Sequence, residues 1–301
     1  MSEPRKIDVS LLRSLRIPAV QGETDKNARG RVLVVGGSRR VPGAVVLSAM
    51  AALRVGAGKV QLAVPESLVP AIGLTALEAG LCPLQESSEG ELLPLPKEEL
   101  TSIAQQVDAV LLGPGILCQQ SARELARCLL EQVTGPVYVI DALALCDLWD
   151  EAALLRSHGG RIVLTPHAGE MAQLCGKEKS EVESDPVGIA RLAAAHLGSC
   201  IVLKSATTYI VDPSGTAFVH SEGVVGLATA GSGDVLAGII AGIAGRGASP
   251  AAAATWGVFL HGGAGRQLAE STGRLGFIAR ELVDELPRLL EATDSRDTPR
   301  Q

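Results

Sequence analysis

The stretch Thr229-Ala-Gly-Ser-Gly-Asp234, followed by the apolar run 235–244, determines how the rest of this 301-residue chain is interpreted. It predicts a glycine-rich turn that opens a buried helix. The first N–H groups of a helix lack partners and carry the positive end of its dipole, so the turn can accept an anion such as phosphate. Asp234 suits a general base that takes a proton from a hydroxyl attacking phosphorus. The stretch indicates phosphoryl transfer, although a capped buried helix with one acid explains it as well.

Outward from this stretch, short β-rich runs alternate with Ala- and Leu-rich runs of helical period. Strands that are apolar on both faces and separated by helices predict a mostly parallel sheet covered on both sides. A turn at 212–215 between 209–211 and 217–219 predicts a β-hairpin, and hence an antiparallel edge. The predicted strands are 31–35, 59–64, 108–112, 137–140, 161–164 and 200–204, and the predicted helices are 44–55, 121–132, 170–175, 186–197, 234–244, 250–270 and 278–291.

The bulk composition narrows the class of protein. There are 27 Lys plus Arg against 33 Asp plus Glu, a net charge of −6, and no basic run, which argues against nucleic-acid binding. No apolar segment reaches the roughly 20 residues of a membrane span, and the polar N-terminus has no signal-peptide core. The six cysteines are widely spaced, which indicates that they serve as small buried apolar residues in a reducing compartment. We therefore expect a soluble cytoplasmic protein.

The predicted domain organisation has three parts. Residues 1–30 form an N-terminal extension, 31–292 a single α/β domain, and 293–301 a disordered tail. The polar, proline-containing stretch 85–99 predicts a surface loop.

Residues that directly follow the strands are considered together, because ligands of open α/β sheets bind beyond the carboxyl ends of the strands. Each has a plain structural alternative: a tight turn, a helix cap, a loop histidine or a polar hairpin entry. Together, in strand-end order, they favour a ligand site. They are Gly36 to Ala44, Gly113-Pro114-Gly115, Asp141, the segment Thr165-Pro166-His167-Ala168-Gly169-Glu170, and Lys204-Ser205-Ala206-Thr207-Thr208.

With these motifs assembled, the chain from about residue 31 to 286 resembles the ADP- or ATP-dependent NAD(P)H-hydrate dehydratases. The most specific motifs are the Thr165 to Glu170 segment and the Ala228 to Gly238 segment. The resemblance implies a ribokinase-like three-layer fold. It also implies that Ala44, Gly113, Gly115, His167 and Asp234 contact the hydrated nicotinamide dinucleotide, and that Lys204, Ser205, Ala206, Thr207, Thr208, Gly231, Ser232 and Gly233 contact ADP or ATP.

The implied reaction uses Asp234 as the catalytic base. It takes the proton of the ring hydroxyl at C6 as that oxygen attacks the terminal phosphate, and elimination of the phosphate ester then restores NADH or NADPH. The implied mechanism also uses Mg²⁺ on the nucleotide oxygens. Glu170 suits a contact with this ion through water, although an acid that only favours the helix dipole explains the residue as well. Two residues depart from the family pattern: Leu143 stands where a second acid is usual, and Ser205 replaces a glycine.

Two other functions remain open at this level. The same turn and aspartate serve a ribokinase-like kinase of a hydroxymethyl vitamin precursor, and Leu143 and Ser205 are compatible with a catalytically silent nucleotide-binding protein. For the dehydratase, we expect NADH hydrate or NADPH hydrate (NADHX or NADPHX) as substrate, an NAD(P)H-hydrate epimerase as functional partner, no nucleic-acid or membrane partner, and a homotetramer.

Overall fold

A computed structural model describes residues 3–18, 26–93 and 98–294 of the chain. The strands are β1 Arg5–Lys6, β2 Arg31–Val35, β3 Lys59–Pro65, β4 Gly80–Leu84, β5 Ala109–Leu112, β6 Val137–Ile140, β7 Ile162–Leu164, β8 Cys200–Leu203, β9 Thr208–Val211 and β10 Ala217–His220. The helices are α1 Val9–Ser14, α2 Gly43–Arg54, α3 Val69–Gly73, α4 Glu98–Ala104, α5 Gln119–Gln132, α6 Ala152–Ser157, α7 Ala168–Cys175, α8 Lys179–Ser184, α9 Pro186–Leu197, α10 Ser232–Gly245, α11 Pro250–Ser271 and α12 Ala279–Asp294.

Ten strands form one sheet in the order β1-β10-β9-β8-β7-β6-β5-β2-β3-β4. The seven strands β8, β7, β6, β5, β2, β3 and β4 are parallel to one another. Strand β9 pairs antiparallel with both β8 and β10. The expected mostly parallel sheet with an antiparallel edge is therefore confirmed.

The two faces of the sheet bury separate hydrophobic cores. Alternation along β2 sends Val32 and Val34 into one core and Leu33 and Val35 into the other. The first core includes α1, α2, α10, α11 and α12, and the second includes α4 to α9. Helices on both sides of the sheet give the predicted three-layer sandwich.

Several elements were not predicted from the sequence. Residues 3–18 add β1, parallel to β10, and α1, whose Leu11 and Leu12 are buried in the first core. The prediction of a surface loop over 85–99 was partly wrong: Glu86 and Leu92 form a bridge, Leu92 is buried, and α4 begins at Glu98, while 94–97 lie outside the described residues. Helix α12 continues to Asp294, and the rest of the predicted tail, 295–301, also lies outside them.

Helices α2 and α10 cross with their backbones in contact. A Cβ added to Gly238 would overlap the backbone of Ser48, and one added to Gly242 would lie 2.8 Å from the carbonyl oxygen of Ala52. The Ser48 hydroxyl also donates to the carbonyl oxygen of Asp234 at 2.9 Å. Glycine allows this approach because it has no side chain. The contact fixes the start of α10 relative to α2.

Within the described part of the chain, no helix combines the length and the hydropathy needed to cross a membrane.

Candidate active site

The carboxyl ends of five adjacent parallel strands lie along one edge of the sheet. In spatial order they are β8, β7, β6, β5 and β2. The residues that follow them therefore line a single rim: Lys204, Thr165, Asp141, Gly113 and Gly36. Ligands of open parallel sheets bind at such a rim.

Glycines make the β2 and β5 end of the rim compact. The N–H of Gly37 donates to the carbonyl oxygen of Pro114 at 2.7 Å, and a Cβ at Gly113 would overlap the carbonyl of Asp141. Gly115 has a φ of 72°, and a Cβ placed there would lie 3.1 Å from the Cβ of Ala44. Ala44, Gly113 and Gly115 thus lie in one tightly packed floor, and their contact with a ligand stays a prediction.

A buried ion pair occupies the centre of the rim. Asp141 is 3% exposed and accepts hydrogen bonds from the Thr165 hydroxyl at 2.6 Å and the Lys204 ammonium at 2.7 Å. Asp141 occupies the N-cap position of the 3-10 turn Ala142–Leu145, but its side chain makes no capping bond there. The ammonium also lies 3.8 Å from a carboxylate oxygen of Glu170. Burial alone would lower the pKa of Lys204, but Asp141, Glu170 and Asp234 outweigh it and raise the pKa.

The N-terminal turn of α10 faces this ion pair. Gly231 is the N-cap with a φ of 87°. The first helical hydrogen bond is donated by the N–H of Val235 to the carbonyl oxygen of Gly231. The N–H groups of Gly233 and Asp234 therefore have no partner within the helix. A Cβ at Gly233 would lie 3.8 Å from the Lys204 ammonium nitrogen. The turn combines free backbone donors with an adjacent positive charge, which suits a phosphate group.

Asp234 has the electrostatics of a proton acceptor that works near neutral pH. Burial, and to a lesser degree the charge of Asp141, raise the pKa of its carboxyl to about 7, although Lys204 opposes the shift. An acid whose pKa lies near the working pH is efficient in general-base catalysis.

His167 and Glu170 form a capping box at the start of α7. The His167 Nδ1 accepts from the N–H groups of Gly169 and Glu170 at 3.0 and 3.1 Å, and the Glu170 carboxylate accepts from His167 N–H at 2.8 Å. Since Nδ1 is an acceptor, the neutral ring carries its proton on Nε2. The side chain is 59% exposed, and its Nε2 lies 3.5 Å from the second carboxylate oxygen of Glu170.

A family model described as NAD(P)H-hydrate dehydratase matches residues 32–288. The chain belongs to that family. An ADP-dependent (S)-NAD(P)H-hydrate dehydratase of Xanthomonas campestris is 43% identical over 95% of this chain and 96% of its own length. A bifunctional NAD(P)H-hydrate repair enzyme of Moorella thermoacetica is 38% identical over 91% of this chain, which spans only 52% of that longer protein.

Solved structures agree with the family and the fold. An ADP/ATP-dependent NAD(P)H-hydrate dehydratase of Bacillus subtilis, co-crystallised with ATP/Mg²⁺, aligns with a TM-score of 0.79 at 26% identity, covering 97% of this chain and all of the other. A ribokinase-like superfamily protein of Enterococcus faecalis aligns equally well, at 26% identity and over 96% of both chains. The ribokinase-like fold is confirmed, and neither the vitamin kinase nor the silent alternative is favoured.

Both departures from the dehydratase family pattern have a local explanation. Among the described residues only Ala142 and Asp147 are non-glycines with positive φ, so Ser205 needs no glycine-like backbone. Its hydroxyl donates to the carbonyl of Thr207, and Thr208 donates to the carbonyl of Ser205 at 3.2 Å, which closes the 204–208 loop on itself. Leu143 packs against the second core. Ala206, with Ser205, is exposed at the tip of the loop.

One contact at the start of α10, made by His261, was not predicted from the sequence. The Ser232 hydroxyl lies 2.9 Å from Nε2 of His261, in the middle of α11, and Ser232 is 5% exposed. Its N–H donates to the carbonyl of Thr229 at 3.2 Å. The predicted nucleotide contact of Ser232 therefore stays a prediction. A lone histidine in a helix of small and apolar residues was the available signal.

Proposed function

We propose that this chain returns (S)-NADH hydrate or (S)-NADPH hydrate to the intact cofactor, with ADP or ATP as phosphoryl donor. The observation that supports it best is the position of Asp234, a partly buried carboxyl beside the free N–H groups that open α10. A kinase-like first step at this turn and the family membership together favour the dehydratase reaction.

In the first step, the C6 hydroxyl of the ring loses its proton to Asp234 as its oxygen attacks the terminal phosphorus of the nucleotide. The new C6–O–P bond forms while the bond from phosphorus to the bridging oxygen breaks. The N–H groups of Gly233 and Asp234 and the Lys204 ammonium stabilise the charge on the transferring phosphoryl. In the second step, the C6–O bond breaks, phosphate leaves, and loss of a ring proton restores the double bond.

Substrate binding in this proposal uses the rim around Ala44. The glycine floor of Gly113 and Gly115 takes the ring against backbone, and His167 donates from Nε2 to a polar group of the dinucleotide. The nucleotide lies on the other side of Asp234, against Gly231 to Gly233 and the loop from Lys204 to Thr208.

Magnesium enters the proposal as a charge carried by the nucleotide. No group of three His, Cys, Asp or Glu side chains in residues 3–18, 26–93 and 98–294 is arranged to hold a metal ion. Mg²⁺ usually binds through phosphate oxygens and water with only one or two carboxylates. We propose that Glu170, whose carboxylate lies 3.8 Å from the Lys204 ammonium, would contact the nucleotide-bound ion through water. When bound, the ion would neutralise charge on the phosphates. The epimerase partner and the homotetramer stay predictions.

The direct test supplies the purified protein with (S)-NADH hydrate and either ADP or ATP, in the presence of magnesium. We expect reduced-nicotinamide absorbance to appear together with phosphate and AMP or ADP, because the proposed donor loses its terminal phosphate. Accumulation of a phosphorylated hydrate without NADH would favour a kinase. Nucleotide binding without turnover would favour a silent protein.

The pH dependence of kcat/KM gives a second test. Asp234 works as a base only when deprotonated, and its pKa is raised to about 7 in the folded protein. We therefore expect kcat/KM to fall about tenfold per pH unit below pH 7 and to level off above it, since this ratio reports the free enzyme. Initial rates from pH 5.5 to 8.5 measure it, and a flat profile would contradict the assignment.

A further inference from the structure

The face of α11 that meets the phosphate turn carries small residues and one histidine. Gly257, His261 and Gly265 are spaced four residues apart and so lie on one face of the helix. A Cβ at Gly257 would lie 2.5 Å from Ile240 of α10, and one at Gly265 would lie 2.7 Å from Leu227, just before the turn. This face therefore packs closely on α10 and on the segment that leads into it.

His261 makes the polar contact of this face. Its Nε2 lies 2.9 Å from the hydroxyl of Ser232, the first residue of α10. The hydroxyl is not used to cap the helix, because the N-cap is Gly231 and no side chain bonds to the free N–H groups there. Ser232 lies between two glycines in the Gly231 to Gly233 turn. Its side chain is therefore the group through which a neighbouring helix can fix the turn by a side-chain hydrogen bond.

The contact is a hydrogen bond between neutral groups. Burial lowers the pKa of His261 to about 4, so the imidazole is uncharged at neutral pH. A neutral ring nitrogen either donates or accepts, and the serine hydroxyl can match either role. His261 thus brings no charge to the phosphate and makes its contact with Ser232.

We propose that His261 is a positioning residue for phosphoryl transfer, which holds the Gly231 to Gly233 turn in its anion-binding shape through Ser232. The inference rests on the proposed role of that turn. Two glycines give the turn great backbone freedom, and Gly231 sits at a φ of 87° that few other residues adopt. Without the tie to α11, the N–H groups of Gly233 and Asp234 would point at the phosphate for a smaller fraction of the time.

The test compares His261→Leu, Ser232→Ala and the double variant. A neutral hydrogen bond corresponds to a factor of about 3 to 10, so we expect each to lower kcat by about that factor, with KM for the hydrate within about twofold. Because both single changes remove the same bond, the double variant should lose no more than one of them. His261→Gln, which keeps a polar group of similar reach, should recover most of the rate.

Thr255→Val is the matched control. Thr255 is a buried polar residue of the same helix, but its hydroxyl donates to the carbonyl of Ala251 within α11. We expect this variant to lower the melting temperature as much as His261→Leu or more, with kcat unchanged. Additive losses in the double variant, or an unchanged kcat in His261→Leu, would overturn the inference.

A binding measurement separates this inference from the proposed dehydration. ADP carries phosphate to the turn and adenosine does not, so His261→Leu should weaken ADP binding by about 3- to 10-fold and leave adenosine binding unchanged. Calorimetry can measure both affinities in a protein that turns over no hydrate. Failure of the wild-type protein to regenerate NADH would therefore contradict the proposed function without deciding the role of His261. Equal ADP affinity in the wild-type protein and in His261→Leu would contradict that role.

Discussion

A protein with Asp234→Asn is expected to fold and bind ADP but to regenerate NAD(P)H about 10²- to 10⁴-fold more slowly, the usual contribution of a general base. The amide keeps the size of the side chain and the N–H groups of the turn, and it cannot accept the proton of the ring hydroxyl. Stability should not fall, because the change removes an acid whose ionised form is disfavoured by burial. Single-turnover rates with saturating ADP, alongside ADP titrations, measure both parts.

Glu181→Gln provides the control for this prediction. Glu181 is an acid in the first turn of another helix, α8, where it accepts a hydrogen bond from the N–H of Glu178. Its loss should lower the stability of the protein only slightly, through the helix dipole and the cap, with no effect on kcat. A rate for Asp234→Asn as high as that of Glu181→Gln would refute the assignment of the base.

Replacing Lys204 by Met is expected to have three effects, on kcat, on stability and on the pH profile. The transferring phosphoryl loses an adjacent positive charge, which should lower kcat by about 10²- to 10³-fold, as for other electrostatic groups at a reaction centre. Asp141 is left buried without its ionic partner, which should cost about 3–5 kcal/mol of stability. The acid limb of the pH profile should also move upward, because Lys204 holds down the pKa of Asp234.

The double variant Asp141→Asn/Lys204→Met distinguishes these effects. Removing both charges eliminates the unpaired carboxylate, so denaturant unfolding should show most of the lost stability restored. The rate should stay low, because the phosphoryl still lacks its positive charge. Recovery of the rate together with the stability would mean that Lys204 serves only to satisfy Asp141.

The fold was accessible from the sequence wherever strands are buried on both faces, as in Arg31–Val35. The two outermost strands of the sheet, β1 and β4, were not accessible. Strand β1 is the pair Arg5–Lys6, which has no strand-like pattern and exists because it pairs with β10. Strand β4 contains Pro83, which counts against a strand in a sequence but is tolerated at an edge.

In the candidate site, too, the residues next to strand ends were predictable from the sequence and the contacts between distant residues were not. Residues that directly follow strands could be placed together, because parallel topology brings strand ends to one rim. The pairing of Lys204 with Asp141 spans 63 residues and the contact of Ser232 with His261 spans 29, and both depend on tertiary packing. No periodicity or spacing in one sequence reports such contacts, so the sequence suggested a nucleotide ligand for Lys204 and nothing for His261.

The backbone contact between α2 and α10 has a consequence for the energetics of the reaction. Ala44 stands at the start of one helix and Asp234 at the start of the other, and Ser48, Gly238 and Gly242 lock the two together before any ligand arrives. In the proposed reaction, the distance from the substrate floor to the base is thus set by the free energy of folding and not drawn from the free energy of binding. That reaction would require no hinge between these two helices, and the affinity for the hydrated cofactor would remain available for holding its ring in place.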